Sequence, residues 1–190
     1  MGDDVPQQVH EATMERTADG LRPVGTGWFV VNVADIAARR NERMGITCSP
    51  EPCDAGFDEF AVNLRVLEPR QFNARYHREN AQEAFLVLSG ECVLIVEGQE
   101  RRLRSGDFFH SPPLTGHVFV GAGGGACTIL MVGGRTKEWC EGEGFPVDET
   151  AARFDASVVE ATSSPDVAYA DIPGDEPAQL PWPPTGFASR

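Results

Sequence analysis

With 190 residues, a mass of 20.6 kDa and 41% hydrophobic content, the chain can fill one sizeable core but not two full domains. A net charge of −13 and a pI near 4.6 exclude the broad basic footprint of a nucleic-acid or anionic-membrane binder, leaving a small molecule or a protein as partner. No apolar run approaches the roughly 20 residues of a membrane span, and the polar N-terminus lacks the apolar core of a signal peptide, so a cytoplasmic protein is expected.

In chain order, residues 1–27 read as a polar, mobile arm with at most a short helix and a solvated His10. Residues 28–57 form a second arm that packs on the main body or on a partner chain. Within it, Trp28 to Val33 is a β-rich run, Ala34 to Arg40 suits a turn or two of helix, and Cys48 to Phe57 is a proline-marked loop. The Cys48–Cys53 pair has zinc half-site spacing but no second cysteine pair to complete it. The five cysteines therefore read as ordinary loop and core thiols in a reducing compartment.

Residues 58–134 carry the main body. Phe60, Val62, Leu64 and Val66 alternate with Ala61, Asn63, Arg65 and Leu67, the period of a strand with one buried face. Ala84 to Leu88, the Ser89-Gly90 turn and Cys92 to Val96 predict a hairpin. Arg101 to Arg104, Phe108 to His110, His117 to Val120 and Cys127 to Val132 continue the series. Glu100 to Arg104 is a solvated edge, and Gly121 to Gly125 a flexible turn with no phosphate-loop signature. Many short strands at regular spacing predict an all-β, antiparallel barrel or sandwich. In residues 135–190, Asp148 to Phe154 and Asp166 to Ala170, with Ser164-Pro165 as N-cap and first helical position, predict short peripheral helices. Five prolines in the last twenty residues predict an extended, proline-rich C-terminal tail anchored by Trp182.

Chemistry concentrates between residues 77 and 121. Residues two apart in a strand share a side, so His77 and Glu79 can face one interior, with Glu83 at the start of the next strand and His117 after the Pro112-Pro113 loop. Two imidazoles and a carboxylate match the facial triad that leaves open positions on iron(II), and the set also suits manganese, nickel or zinc. With only Glu83 ionised the site keeps one positive charge; Glu79 would make it neutral.

This stretch resembles the two motifs of the cupin superfamily. His77-x-Glu79-x3-Glu83-x6-Gly90 stands against the first, and, fifteen residues on, Gly106-x5-Pro112-x-Leu114-x2-His117-x3-Gly121 against the second. Gln71, Glu79, Leu114 and Gly121 occupy positions where the family has glycine, histidine, glycine and asparagine. A second register makes His77 the second family histidine and puts Tyr76 or Arg75 near the first.

The resemblance implies a cupin-type double-stranded β-helix, or jelly-roll barrel, and one divalent transition metal held by His77, Glu79, Glu83 and His117. Glu79 is there a fourth ligand, a nearby base or a solvated loop acid. Tyr76, Phe85, Phe108, His110 and Phe119 are the candidates for shaping a substrate pocket. Two functions are expected: an oxygenase- or isomerase-type enzyme acting on a small organic substrate, or a non-catalytic module that binds or senses a small ligand. Relatives that exchange edge strands imply a homodimer, with Trp28 to Val33 as the exchanging arm.

Overall fold

The computed structural model describes residues 8–52, 56–135 and 140–184. Cys53 and the last six residues of the proline-rich tail lie outside them. A β1 strand (Thr13–Thr17) and β2 (Gly20–Val24) pair antiparallel where the sequence predicts a mobile arm. The Thr17 hydroxyl closes their turn by donating to the Gly20 carbonyl at 3.0 Å. Four of the five β1 positions are exposed, so this strand has no apolar face for periodicity to detect.

The second arm also departs from expectation. Instead of a helix from Ala34 to Arg40 there is one 3-10 turn at Val33–Asp35, capped by Asn32, and then β3 (Ala38–Asn41). Trp28 to Val33 is not a strand beyond a single bridge at Trp28, and Trp28 and Val30 stand 52% and 84% exposed. β4 (Gly45–Cys48) and β5 (Phe60–Leu67) follow, then β6 (Glu83–Ser89) and β7 (Glu91–Val96), which do not pair as the expected hairpin: the chain crosses between them from one sheet to the other. Gly90 makes that crossover at φ 74°, where an added Cβ would meet the Ala126 carbonyl oxygen at 2.3 Å; glycine is required there.

β8 (Gln99–Arg104), β9 (Phe108–Ser111), β10 (His117–Ala122) and β11 (Cys127–Gly134) complete two facing sheets. The smaller has the order β10-β7-β8. Once the C-terminal β12 (Glu176–Ala178) is included, the larger runs β12-β3-β4-β5-β11-β6-β9. Phe85, Val87, Leu94, Phe119, Ile129 and Met131 fill the space between the sheets.

Outer faces are covered too. Val93 and Ile95 point away from the interior and, with Val118 and Val120, pack against Ala151 and Ala156. Ala151 belongs to α1 (Glu149–Ala152), which is capped by the Asp148 carboxylate. β7 is therefore buried on both sides, the reason it reads as a continuous apolar run rather than an alternating one. Each large side chain so buried contributes roughly 2 kcal/mol. On the larger sheet Leu64, Val66 and Ile46 are covered by Ile36 and by Leu180 of the tail. The tail is thus partly sheet: β12 pairs with β3, and the Pro173 carbonyl accepts from Asn41 at 2.7 Å. A second helix, α2 (Pro165–Ala168), has proline in its first turn, but Ser164 makes no side-chain capping bond.

The architecture is an all-β jelly-roll barrel with short peripheral helices. No helix among the described residues is long and apolar enough to cross a membrane.

Candidate metal centre

Backbone pairing brings the two histidines together. Residues 72–77 run alongside β10, bridging Phe72 to Val120 and His77 to His117. His77 N–H donates to the His117 carbonyl at 3.3 Å and the reverse bond is 3.1 Å. The imidazole centroids are 4.9 Å apart. Glu83 opens β6, which reaches the site through its pairing with β11, and the Leu114 N–H donates to the Glu79 carbonyl at 2.8 Å to hold the proline loop beside it. Leu114, where the cupin motif has a turn glycine, keeps the left-handed conformation with φ 64°.

Each imidazole is oriented by a backbone carbonyl. His77 Nδ1 lies 2.8 Å from the Arg75 carbonyl and His117 Nδ1 3.0 Å from that of Thr115. A carbonyl only accepts, so both Nδ1 atoms carry protons and both Nε2 atoms turn inward, the arrangement that orients metal-binding histidines. His117 is fully buried, and its Nε2 has no hydrogen-bond partner. It lies 3.4 Å from the Glu83 carboxylate, and His77 Nε2 lies 3.4 Å from that of Glu79. A metal with ligands at about 2.1 Å separates neighbouring donor atoms by roughly 3.0–3.5 Å. One donor atom each from His77, Glu83 and His117 falls within 4.8 Å of the others. Glu79 stands outside that group, its side chain 52% exposed, whereas that of Glu83 is 12% exposed.

Without a cation the four groups titrate in opposition. Burial, and then the Glu79 charge, push the Glu83 carboxyl up to about 7. Burial and the neighbouring His77 push His117 down to about 4. Burial also pulls His77 down, but the Glu79 hydrogen bond and the Glu79 and Glu83 charges outweigh it and raise the imidazole overall. The same hydrogen bond holds Glu79 below the usual carboxylate range. A buried neutral imidazole facing a carboxyl that resists ionisation is a site short of positive charge, and a divalent ion corrects both terms. The donor set fits iron, manganese, nickel or zinc.

These groups line a cavity of about 750 Å³ between the sheets. Of the expected pocket residues, Phe85 lines it, its ring 5.2 Å from that of His117. Phe119 is buried beneath His117, with ring centroids 6.3 Å apart. Tyr76 is buried among Ile95 and Val118 against Gly116. Phe108 is 64% exposed, and the exposed His110 bonds to Gln82 outside the cavity. Tyr76, Phe108, His110 and Phe119 are therefore not among the lining residues. Asn63, Arg65, Asn73 and Phe145 are, and none of them is among the sequence candidates. The signal for two of them lies in the alternation of β5, whose polar face turns toward the barrel interior.

Residues 63–133 match the family model described as the cupin domain, and the barrel that they span is a cupin domain. Solved structures resemble the chain in part. A sugar phosphate isomerase of the cupin superfamily from Silicibacter pomeroyi is 29% identical over 56% of this chain and 76% of its own, with a TM-score of 0.48. The polyketide cyclase RemF from Streptomyces resistomycificus is 20% identical over 60% and 88%, at 0.49. A candidate sugar phosphate isomerase from Acidithiobacillus ferrooxidans is 26% identical over 48% of this chain, with a TM-score of 0.43. The matched region spans 60% of that protein's length. Among curated proteins none matches.

Proposed function

We propose that the protein is a metal-dependent cupin enzyme that acts on a small organic substrate inside the barrel, by chemistry of the oxygenase or isomerase type. The observation that carries this reading is the convergence of His77, Glu83 and the unpartnered His117 Nε2 at the wall of a cavity large enough for a small molecule. One divalent transition metal held by these three residues supplies Lewis acidity toward substrate oxygen atoms, and redox chemistry if it is iron.

The chain's own groups do the rest. The Arg75 and Thr115 carbonyls fix the imidazole tautomers. Phe85, Phe109 and Phe145, with rings 5.2, 5.8 and 6.2 Å from the nearest imidazole, exclude water on the protein side. Glu79, ionised and half-exposed beside His77, accepts a proton from substrate or becomes a fourth ligand. A homodimer belongs to the same proposal. Exposed Trp28 and Val30 adjoin the ring series Phe29, Phe57 and Phe60, and light scattering at micromolar concentration should give about twice 20.6 kDa.

Elemental analysis of protein purified without chelator or nickel resin should find about one transition metal per chain, and chelation should abolish turnover. The metal reading fails if the parent holds no stoichiometric metal and His117→Ala binds as well as the parent. Metal-replete protein that consumes no oxygen and converts nothing in a broad panel, yet is thermally stabilised by a ligand, would instead establish a binding module.

A further inference from the structure

The cavity has a second polar pole, away from the histidines. β5 and β6 both flank β11 and run parallel to each other, so that Ala61, Asn63 and Arg65 lie in line with Glu83, Phe85 and Val87 across Gly133, Met131 and Ile129. Asn63 and Arg65 therefore share the interior face with Glu83. At the Cα level Arg65 lies roughly 10 Å across and 13 Å along the sheet from Glu83. Both side chains line the same cavity. The Arg65 head donates to the Met44 carbonyl, and Tyr169 and Asp175 are among its neighbours. Tyr169 packs its ring on Phe145 at 5.5 Å, and Phe145 lies 6.2 Å from the His77 ring.

Arg65 lacks the partners that other arginines have. Of the three arginines lining the cavity, Arg78 faces Glu97 at 3.8 Å and Arg135 pairs with Glu51. Arg65 has no carboxylate within 4.0 Å among the described residues. One Nη donates to the Met44 carbonyl at 3.2 Å, and the shielded Nε has no acceptor. The Nε and remaining Nη edge is thus free, the edge that receives a carboxylate side-on through two parallel hydrogen bonds. Asn63 makes no side-chain hydrogen bond; its shielded Oδ1 is an acceptor, so its Nδ2 group is the one that can donate to an anion. An unmet buried donor costs on the order of 1–3 kcal/mol, and an uncompensated buried cation costs more. Burial also pushes the Arg65 pKa down, and the charge of Asp175, more than 4.0 Å away, only partly offsets it.

We propose that Arg65 and Asn63 form the anion-binding pole of the cavity, and that the substrate is a small organic carboxylate held there by one end and presented to the metal-binding triad by the other. This deepens the metal-dependent reading and rests on it for the second end only. A single planar fork beside one amide suits a carboxylate. A phosphate group, with its larger charge and three oxygens, asks for more cations than the pole offers.

The test is calorimetric titration of manganese-loaded and metal-free protein with succinate, glutarate and adipate, with their uncharged diamides, and with inorganic phosphate. The parent should bind at least one of the acids, at least tenfold more tightly than its diamide and than phosphate. Arg65→Met should weaken that acid at least tenfold in both metal states while metal content stays at the parent value. Arg65→Lys, which keeps the charge and loses the fork, should restore only part of the affinity. Should Arg65→Met not fold, Asn63→Ala should give a threefold or greater weakening in protein with an unchanged circular dichroism spectrum. A parent that binds none of the acids, a preference for phosphate, or Arg65→Met binding the acids like the parent would overturn the assignment. Absence of manganese binding, with Arg65-dependent acid binding retained, would overturn the metal reading and leave the anion pole standing.

Discussion

Arg75 and His77 lie two residues apart in one buried segment, and their surroundings differ completely. The Arg75 guanidinium, 5% exposed as a residue, donates to the carbonyls of Ala168, Asp155 and Ser157, pairs with Asp171 at 2.5 Å and stacks over Phe72. Asp171, held down to about 2 chiefly by that Arg75 hydrogen bond, also takes Arg43. This cluster ties the segment after α1 and the chain around α2 to the barrel. Across the strand bridge from His77, the Nε2 of His117 has no hydrogen-bond partner. Buried polar groups whose partners are all supplied by the chain are structure; buried polar groups left without one mark where something else must come. Arg65, with one partner for its several donors, belongs with the second kind.

That contrast can be broken in either direction. The largest effect is expected from His117→Ala, which should lower metal affinity at least a hundredfold by equilibrium dialysis while the circular dichroism spectrum stays that of the parent. Loss of metal together with loss of fold would return His117 to the structural group. Arg75→Met should do the converse. Chemical denaturation should find a loss of about 3 kcal/mol, because several carbonyls and Asp171 lose their donor, with metal content unchanged in the folded fraction.

The pH dependence of metal binding separates the two regions without mutation. Glu83 is pushed up to about 7 and His77 is raised, so both gain protons as the pH falls through neutrality, and metal needs both without them. Affinity should therefore drop at least about tenfold per unit below pH 7. Asp171 acts at the other end of the scale. Its folded pKa is depressed, so its contribution to stability is present above the unfolded value near 4 and fades only as the pH falls toward 2. Metal loss should precede acid unfolding, and coincidence of the two transitions would erase the distinction. The smallest effect is expected for Glu79→Gln, a threefold or lesser change in metal affinity, since its half-exposed carboxylate lies outside the three-ligand group. A change as large as that of Glu83→Gln would make it a full ligand.

What was legible in the sequence follows the same division. The turn at Gly90, the strand at 60–67 and the two motifs could be read because burial writes a period into the residues and tight turns write glycine; the pairing across Gly90 could not, because the strands on either side of it join different sheets. The β1–β2 ribbon could not, since β1 is exposed at four of its five positions and carries no apolar alternation, and β3 hid behind Arg39 and Arg40, which look helical in isolation. In the site, His77, Glu83 and His117 were legible through spacing. Asn63 and Arg65 were not. In an alternating strand the polar face is ordinarily the solvent face, whereas β5 points its polar face into a cavity and buries its apolar face under Ile36 and Leu180. Tyr76 and Phe119 went the other way, aromatic residues near the motifs that the fold spends on packing.

The claim on which the rest depends is that a cation sits among His77, Glu83 and His117. An anomalous difference map, recorded at the absorption edge of whichever metal elemental analysis identifies, tests it most directly. One peak within about 2.0–2.3 Å of both Nε2 atoms and of a Glu83 oxygen is the predicted result. Stoichiometric metal in the crystal with no peak at that point would contradict it.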